Sequence, residues 1–348
     1  MSNEVLFFSG FLLFIILMLS VDLGLFHKKE SKISLKQAAT MSAVWVSFAL
    51  GFYFILLTEG QALHGISNFA ELHHIVQLHG HHITLNPNDF QASVHIYNQN
   101  LALEYLTGYV VEYALSVDNI FVMVLIFSAF NVDEKYYHRV LFWGIIGALI
   151  MRFLFIFIGA TLISEFNWIL YIFGGFLVYT GVMMFFGGNE EKKIDPENHK
   201  IVRFASKYFS IHPEFVGSRF FVKIDGRKLI TPLFLVLLIV EVTDLVFAVD
   251  SIPAIFAITK DPYIVFFSNI FAILGLRSMF FLLVNIIDKF HYLNTGLAII
   301  LIFIGLEMLG HHWLAGFGFQ TIHSLLVIVG VLTISVVASL MFPKRKSK

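Results

Sequence analysis

The 348-residue chain contains no cysteine. Disulfides, thiolate metal sites and cysteine nucleophiles are therefore excluded. Charge is scarce as well. Asp, Glu, Lys and Arg make up 14% of the residues, where a soluble domain carries about a quarter. That excludes a soluble globular domain. Basic residues are absent ahead of the first apolar segment, and a cluster, "HKKESK", follows it without a small-residue cleavage site. That segment reads as a span and not as a signal peptide. No HExxH signature is present, and no nucleophile sits beside a base within the apolar runs. A membrane hydrolase, or any other enzyme, is not expected. The formal net charge of −1 points to no charged partner, and no nucleic acid is expected.

What the chain does contain is apolar length. Hydrophobic residues make up 58%, 40 residues are Phe, and the mean hydropathy is +0.81. Such a composition predicts an all-α polytopic protein of a cell membrane, in contact with the lipid bilayer. Nine spans are predicted, at 5–26, 38–57, 101–129, 139–160, 166–187, 229–258, 262–287, 294–310 and 320–342. The turns alternate in charge. Lys28, Lys29, Lys32 and Lys36 lie in 27–37, Lys135 and Arg139 at 130–139, nine Lys or Arg in 188–228, Lys289 in 288–293, and "PKRKSK" in the tail. The alternate segments 58–100, 161–165 and 311–319 have no Lys or Arg, and 259–261 has Lys260 alone. Cytoplasmic loops collect basic residues, so the N-terminus is expected outside and the C-terminus inside. The chain then divides into 1–57 (two helices), 58–100 (external loop), 101–187 and 229–310 (three helices each), 188–228 (cytoplasmic loop) and 311–348 (last helix and basic tail).

In the cytoplasmic loop, "HKIVRFASKYF" places Ile201, Phe204, Ala205, Tyr208 and Phe209 on one helical face, which predicts an interfacial amphipathic helix. The Asp225-Gly226 step after it predicts a small hairpin. The external loop holds seven of the 15 histidines: His64, His73, His74, His79, His81, His82 and His95. They could collect metal or sense pH. No two-plus-two ligand spacing is visible, so a poorly structured polar insert is the reading preferred from sequence.

Acids inside the spans carry the chemistry. "EYALSVDNIF" and "DLVFAVDSIPAIF" align as Glu112-x-x-x-Ser-Val-Asp118-Asn119 and Asp244-x-x-x-Ala-Val-Asp250-Ser251, with Glu241 one turn earlier. The first motif enters the membrane from outside and the second from inside. The pattern predicts an inverted repeat of three helices plus three, spans 3–5 and 6–8, as secondary transporters use. A fragment of the motif, "LSVDLGLF" with Asp22, recurs in the first span. An acid at the centre of a membrane helix costs about 2.5–3.5 kcal/mol, so five would cost roughly 12–17 kcal/mol unpaired. Arg152 and Arg277 are the two cations within spans, and two cannot neutralise five. A bound divalent cation, protons, or both in alternation would supply the balance. Structural pairing of the acids with these arginines is the plain alternative, and either arginine could serve as a tethered cation in an empty site. Glu59 and Glu104 read as interfacial, and Glu307, four residues before His311, as an interfacial polar cluster.

A spacing of six turns a side chain by about 240°, so one straight helix cannot aim both acids of a motif at one point. Pro253, three residues past Asp250, predicts a broken helix with freed carbonyl oxygens. The candidate metal set is Glu112, Asp118, Asn119, Glu241, Asp244, Asp250 and Ser251, supported by Asp22, Arg152 and Arg277. These oxygen donors suit magnesium, calcium or manganese and disfavour zinc and copper. Met123, Met183, Met184 and Met279 could soften the site toward manganese but read better as gap fillers.

The motifs above, with "SNIFAILGLRSMFFLL" and "FHYLNTGLAIILIFIGLEML", resemble the TerC family of integral membrane proteins, including its Alx-type branch, over residues 11–342. The resemblance implies manganese export across the cytoplasmic membrane through the acids named. It also implies a link to tellurium resistance and, for some members, metal supply beside the secretion machinery. Two features depart from the family pattern: Glu307 stands where a lysine is usual, and the outer loop is longer and richer in histidine. Proton exchange would complete an export cycle. A metal-sensing or tellurium-responsive partner protein that does not transport, or a calcium transporter, are the alternatives; the oligomeric state stays open.

Overall fold

The computed structural model describes residues 3–26, 34–81, 83–166, 168–186, 200–224, 226–284, 292–316 and 319–342. Eleven helices are described: α1 (Asn3–Phe26), α2 (Leu35–Glu59), α3 (Phe69–His79), α4 (Phe90–Ala129), α5 (Glu134–Glu165), α6 (Ile169–Phe186), α7 (Lys200–Tyr208), α8 (Pro232–Phe256), α9 (Pro262–Leu283), α10 (Leu293–Gly316) and α11 (Thr321–Met341). Eight of them are long and apolar enough to cross a membrane, and α1 adds a shorter apolar segment, Val5–Ser20. All nine predicted spans correspond to helices. Their exposed faces are apolar: Leu13 and Ile16 on α1, Ile150 and Ile158 on α5, Ile172 and Tyr179 on α6, and Ile334 and Leu340 on α11. Such a belt faces lipid.

Helix starts follow local chemistry. Ser34 caps α2 in a capping box with Gln37, and Asp89 accepts the Ala92 amide at the start of α4. Pro232 and Pro262 occupy first-turn positions, where the missing amide hydrogen has no intrahelical partner to lose.

At the centre stands α9, with every residue from Ile264 to Phe281 buried. It is apolar on nearly all sides because it is surrounded on all sides, by α2, α4 and α5. Phe7, Phe8 and Phe11 of α1 pack their rings onto Phe52, Phe266 and Phe267. α4 packs on α8, α5 on α8 and α9, and α6 lies along α10. The last pair touches through backbone: a Cβ on Gly305 would sit 2.7 Å from the Gly174 carbonyl oxygen, so only glycine allows this approach.

Two predictions about the 188–228 segment hold where residues are described. α7 forms, and β1 (Phe221–Ile224) pairs antiparallel with β2 (Arg227–Ile230) across a two-residue turn, of which Gly226 has φ 80° and Asp225 lies outside the described residues. Ala205 of α7 packs against Ile230 and Leu235, whereas Phe204 and Tyr208 stay exposed. The predicted single apolar face is thus divided between protein and surroundings.

Three expectations need correction. α4 begins at Phe90, eleven residues before the predicted span, and its 40 residues reach about 60 Å, twice the hydrocarbon thickness. The histidine-rich loop is not a poorly structured insert. It folds as α3 and the first turns of α4, with His81 buried and His64 buried at its side chain. No break occurs at Pro253: α8 is continuous through Asp250 and ends at Phe256, so the proline forgoes its bond to the Val249 carbonyl and the helix stops within the next turn.

Candidate functional site

The acids fall into two groups. Arg152 of α5 is fully buried and organises the first. Its Nη1 lies 2.5 Å from Glu112 Oε1 on α4, and its Nη2 lies 3.7 Å from Asp244 Oδ1 on α8. Nη1 also donates to Ser251 Oγ on α8 (3.3 Å) and to Asn269 Oδ1 on α9 (2.5 Å). Asn269 is aimed by its own amide, which donates to the Val265 carbonyl at 2.9 Å. Four helices therefore meet on one guanidinium, whose planar fork suits several acceptors at once.

The second group has no cation among the described residues. Asp118 of α4 and Asp250 of α8 lie within electrostatic reach of each other, both half-buried, and Thr180 of α6 offers its hydroxyl to Asp250. Glu241 belongs to neither pair: it sits one turn before Asp244, within electrostatic reach of it, and against α5. Its carboxylate occupies the place where a side chain on Gly147 would begin, which is what allows it to lie there. Among the described residues no basic side chain comes within ion-pair distance of Asp118, Asp250 or Glu241. Among the described residues Asp250 Oδ1 and Ser116 Oγ are buried without a hydrogen-bond partner, and Asn119 is buried next to Asp118 in sequence.

The structure thus brings together Glu112, Asp244, Ser251 and Arg152 on one side and Asp118 with Asp250 on the other, and the six-residue spacing explains the division. Acids 240° apart on a straight helix face two neighbourhoods, and no helix needs to break. Arg277 does not join either group. It is buried further along α9, where its charge acts on His138 of α5. Asp22 lies in α1, and its side chain is outside the described residues. Met123 shares a small cavity with Asp244, Met279 packs in the apolar core, and Met183 is exposed on the lipid-facing surface.

Asn269, Ser116 and Thr180 escaped sequence reasoning. Each is a polar residue within an apolar run, a signal that such residues face the bundle interior.

A second polar region stands at the end of the bundle that carries α3. A cavity of about 600 Å³ opens there between Glu104, Thr259, Lys260, Glu307, Phe256 and Met308. Glu112, Asp118, Glu241, Asp244 and Asp250 do not line it. Glu104 is buried and not interfacial: it accepts from His81 Nδ1 (2.8 Å), Asn100 Nδ2 (2.6 Å) and Thr259 Oγ1 (2.6 Å). Burial disfavours the His81 cation, yet the facing Glu104 carboxylate outweighs it and raises the imidazole above its ordinary range. Asp261 opposes it across the same region. Burial alone would raise its carboxyl, but the surrounding His64, His79 and His81 hold it below the usual carboxylate range. Glu307 accepts from Ser324 at 2.6 Å, and His311 lies outside the side chains described.

Comparison with known proteins agrees with the residues. The model of the integral membrane protein TerC family matches residues 97–347. An uncharacterized membrane protein of Myxococcus xanthus is 43% identical over 95% of this chain and 91% of its own. A protein of Escherichia coli K12 named a putative membrane-bound redox modulator is 40% identical over 87% of this chain and 85% of its own. An uncharacterized membrane protein of Rickettsia bellii is 39% identical over 92% and 93%. No solved structure matches the chain. With its multiple membrane-spanning helices and a family match across most of its length, the chain is a multi-pass membrane protein of the TerC family.

Proposed function

We propose that the chain is a secondary transporter that exports a divalent metal, manganese first among candidates, in exchange for protons. The observation that carries the reading is the uncompensated acid group. Asp118 with Asp250, and Glu241 beside Asp244, lie within a membrane bundle without a basic partner in ion-pair distance among the described residues. Such groups are costly unless a cation or protons neutralise them. A transported metal ion supplies that charge when bound, and protons supply it otherwise.

The donor set fits the cargo. Asp118, Asp250 and Asn119 offer oxygen, which suits hard and borderline ions such as manganese, magnesium and calcium, while Ser251 stands with Arg152 in the first group. Manganese among them rests on the family resemblance. Arg152 holds Glu112 and Asp244 in this conformation; its movement away would release two more carboxylates to the ion. The packing supports an inverted repeat of α4–α6 and α8–α10: like helices face each other (α4 on α8, α5 on α9, α6 on α10), and the cross pairs α4–α9 and α5–α8 recur. The basic residues gather at the hairpin end, which supports a cytoplasmic place for that end and an outer place for the 600 Å³ cavity, as an exit vestibule.

The name of the Escherichia coli relative favours a second reading, a modulator of redox state. In this chain it cannot work by thiol exchange, because there is no cysteine. A redox effect would follow from altered metal supply. Total cell manganese separates transport from sensing. In cells lacking their own exporters and loaded with manganese, the wild-type chain should lower it and Asp118→Asn should not. Equal manganese in both would reject export and leave a sensor.

A further inference from the structure

We propose that His64, His79 and Asp261 form a second metal site, separate from the membrane acids, which takes a divalent transition ion of the zinc type. The three residues come from three elements. His64 lies in the turn after α2, His79 is the last residue of α3, and Asp261 caps the start of α9. One ligand atom from each lies within 4.8 Å of the other two. Zinc bonds of about 2.0–2.2 Å place tetrahedral donors roughly 3.3–3.5 Å apart, so the widest pair closes by at most about 1.5 Å and the His64–Asp261 pair, now 2.9 Å apart, opens slightly to admit the ion.

The surroundings are those of a built site. Asp261 is fully buried, and its Oδ1 is fixed by the amides of Tyr263 (2.9 Å) and Ile264 (3.5 Å), which leaves Oδ2 facing His64 Nε2 at 2.9 Å. An ion would stand where that hydrogen bond now runs. Behind it, Thr259 accepts from the Asp261 backbone amide and donates to Glu104, which ties the Asp261 backbone to the Glu104 cluster. Gly80, at φ 65°, turns the chain directly after His79 and brings His81 back toward it, with ring centres 5.9 Å apart. His81 Nε2 is buried and makes no hydrogen bond among the described residues, an independent sign of an unmet donor or acceptor at this place. His79 lines the 600 Å³ cavity, which gives an ion its entry path and leaves room for a water ligand. Lys260, packed near Gly80, opposes a cation here, whereas Asp261 and Glu104 favour it.

The donor chemistry separates this site from the first. Two imidazoles and one carboxylate select zinc over manganese, magnesium or calcium, by ligand type and by the ordinary affinity order. An ion here would tie α2, α3 and α9 together at the mouth of the vestibule.

Purified full-length chain, stripped with chelator, reloaded with zinc and desalted, would be assayed for zinc per chain by elemental mass spectrometry. One equivalent is expected. It should persist in Asp118→Asn/Asp250→Asn and fall at least tenfold in His79→Asn and in His64→Gln. His79 is half-buried, so its variant should elute as the wild type does. A measurement free of variants is the cobalt spectrum: nitrogen-containing tetrahedral sites absorb strongly in the visible, oxygen-only octahedral sites weakly. No zinc on the wild-type chain, or zinc retained by both folded histidine variants, would overturn the site. Zinc lost from the membrane-acid variant but kept by the histidine variants would place the ion elsewhere, and would overturn it too.

Discussion

Replacing Arg152 with methionine removes one charge and leaves two. Glu112 and Asp244 would remain among α4, α5 and α8 without their cation, at sites where Arg152 is fully buried and Asp244 nearly so. At an effective dielectric near 20, contacts of 2.5 and 3.7 Å correspond to Coulomb attractions of about 7 and 4 kcal/mol. Most of that attraction offsets the cost of taking three ions out of water. The net loss expected from breaking such a buried pair is about 3–5 kcal/mol, because uncompensated charge stays behind. Each kcal/mol moves the midpoint by a few degrees at most in a chain of this size, so Arg152→Met should melt on the order of 10 °C lower. Thermal unfolding of detergent-purified protein, followed by fluorescence-detected size exclusion, measures this. Adding Glu112→Gln and Asp244→Asn removes the stranded charges and should recover more than half of the loss. An Arg152→Met midpoint within about 2 °C of wild type, or a triple variant no better than the single, would refute the pairing argument.

Two further substitutions probe packing. Gly305→Leu forces a side chain into the Gly174 backbone, and overpacking of this kind should cost about 1–3 kcal/mol or more; a melting midpoint equal to wild type would show that α6 and α10 do not meet as described. Gly147→Val would displace Glu241 from its place on α5 while leaving every acid in the chain. Manganese efflux should fall severalfold with folded yield largely kept, and unchanged efflux would remove Glu241 from the pathway.

Hydropathy located every span because lipid exposure and apolar length go together, as on α5 and α11. It missed the start of α4 for the same reason. Residues such as Asn98, which donates to the Thr58 carbonyl and to Gln61, pack against the end of α2 and the turn after it, and no lipid scale detects that. Glu104 and His81 form a pair 23 residues apart, and His64 and Asp261 one 197 apart, contacts that only the folded chain creates. The acids were legible from their repeat and their cost. Their division into a group around Arg152 and a group without a cation was not, since it depends on which neighbour each helix face meets. Pro253 was over-read: its effect depends on how many turns of α8 follow it, and fewer than one does.

Reconstituted flux tests the central claim most directly. Purified wild-type chain and Asp118→Asn/Asp250→Asn would be placed in liposomes with a manganese-quenched dye and a pH dye inside. Wild-type protein should carry manganese across with protons moving the opposite way, and the double variant should carry neither. Manganese movement surviving in the double variant, or binding to the wild-type chain without any movement, would contradict the account.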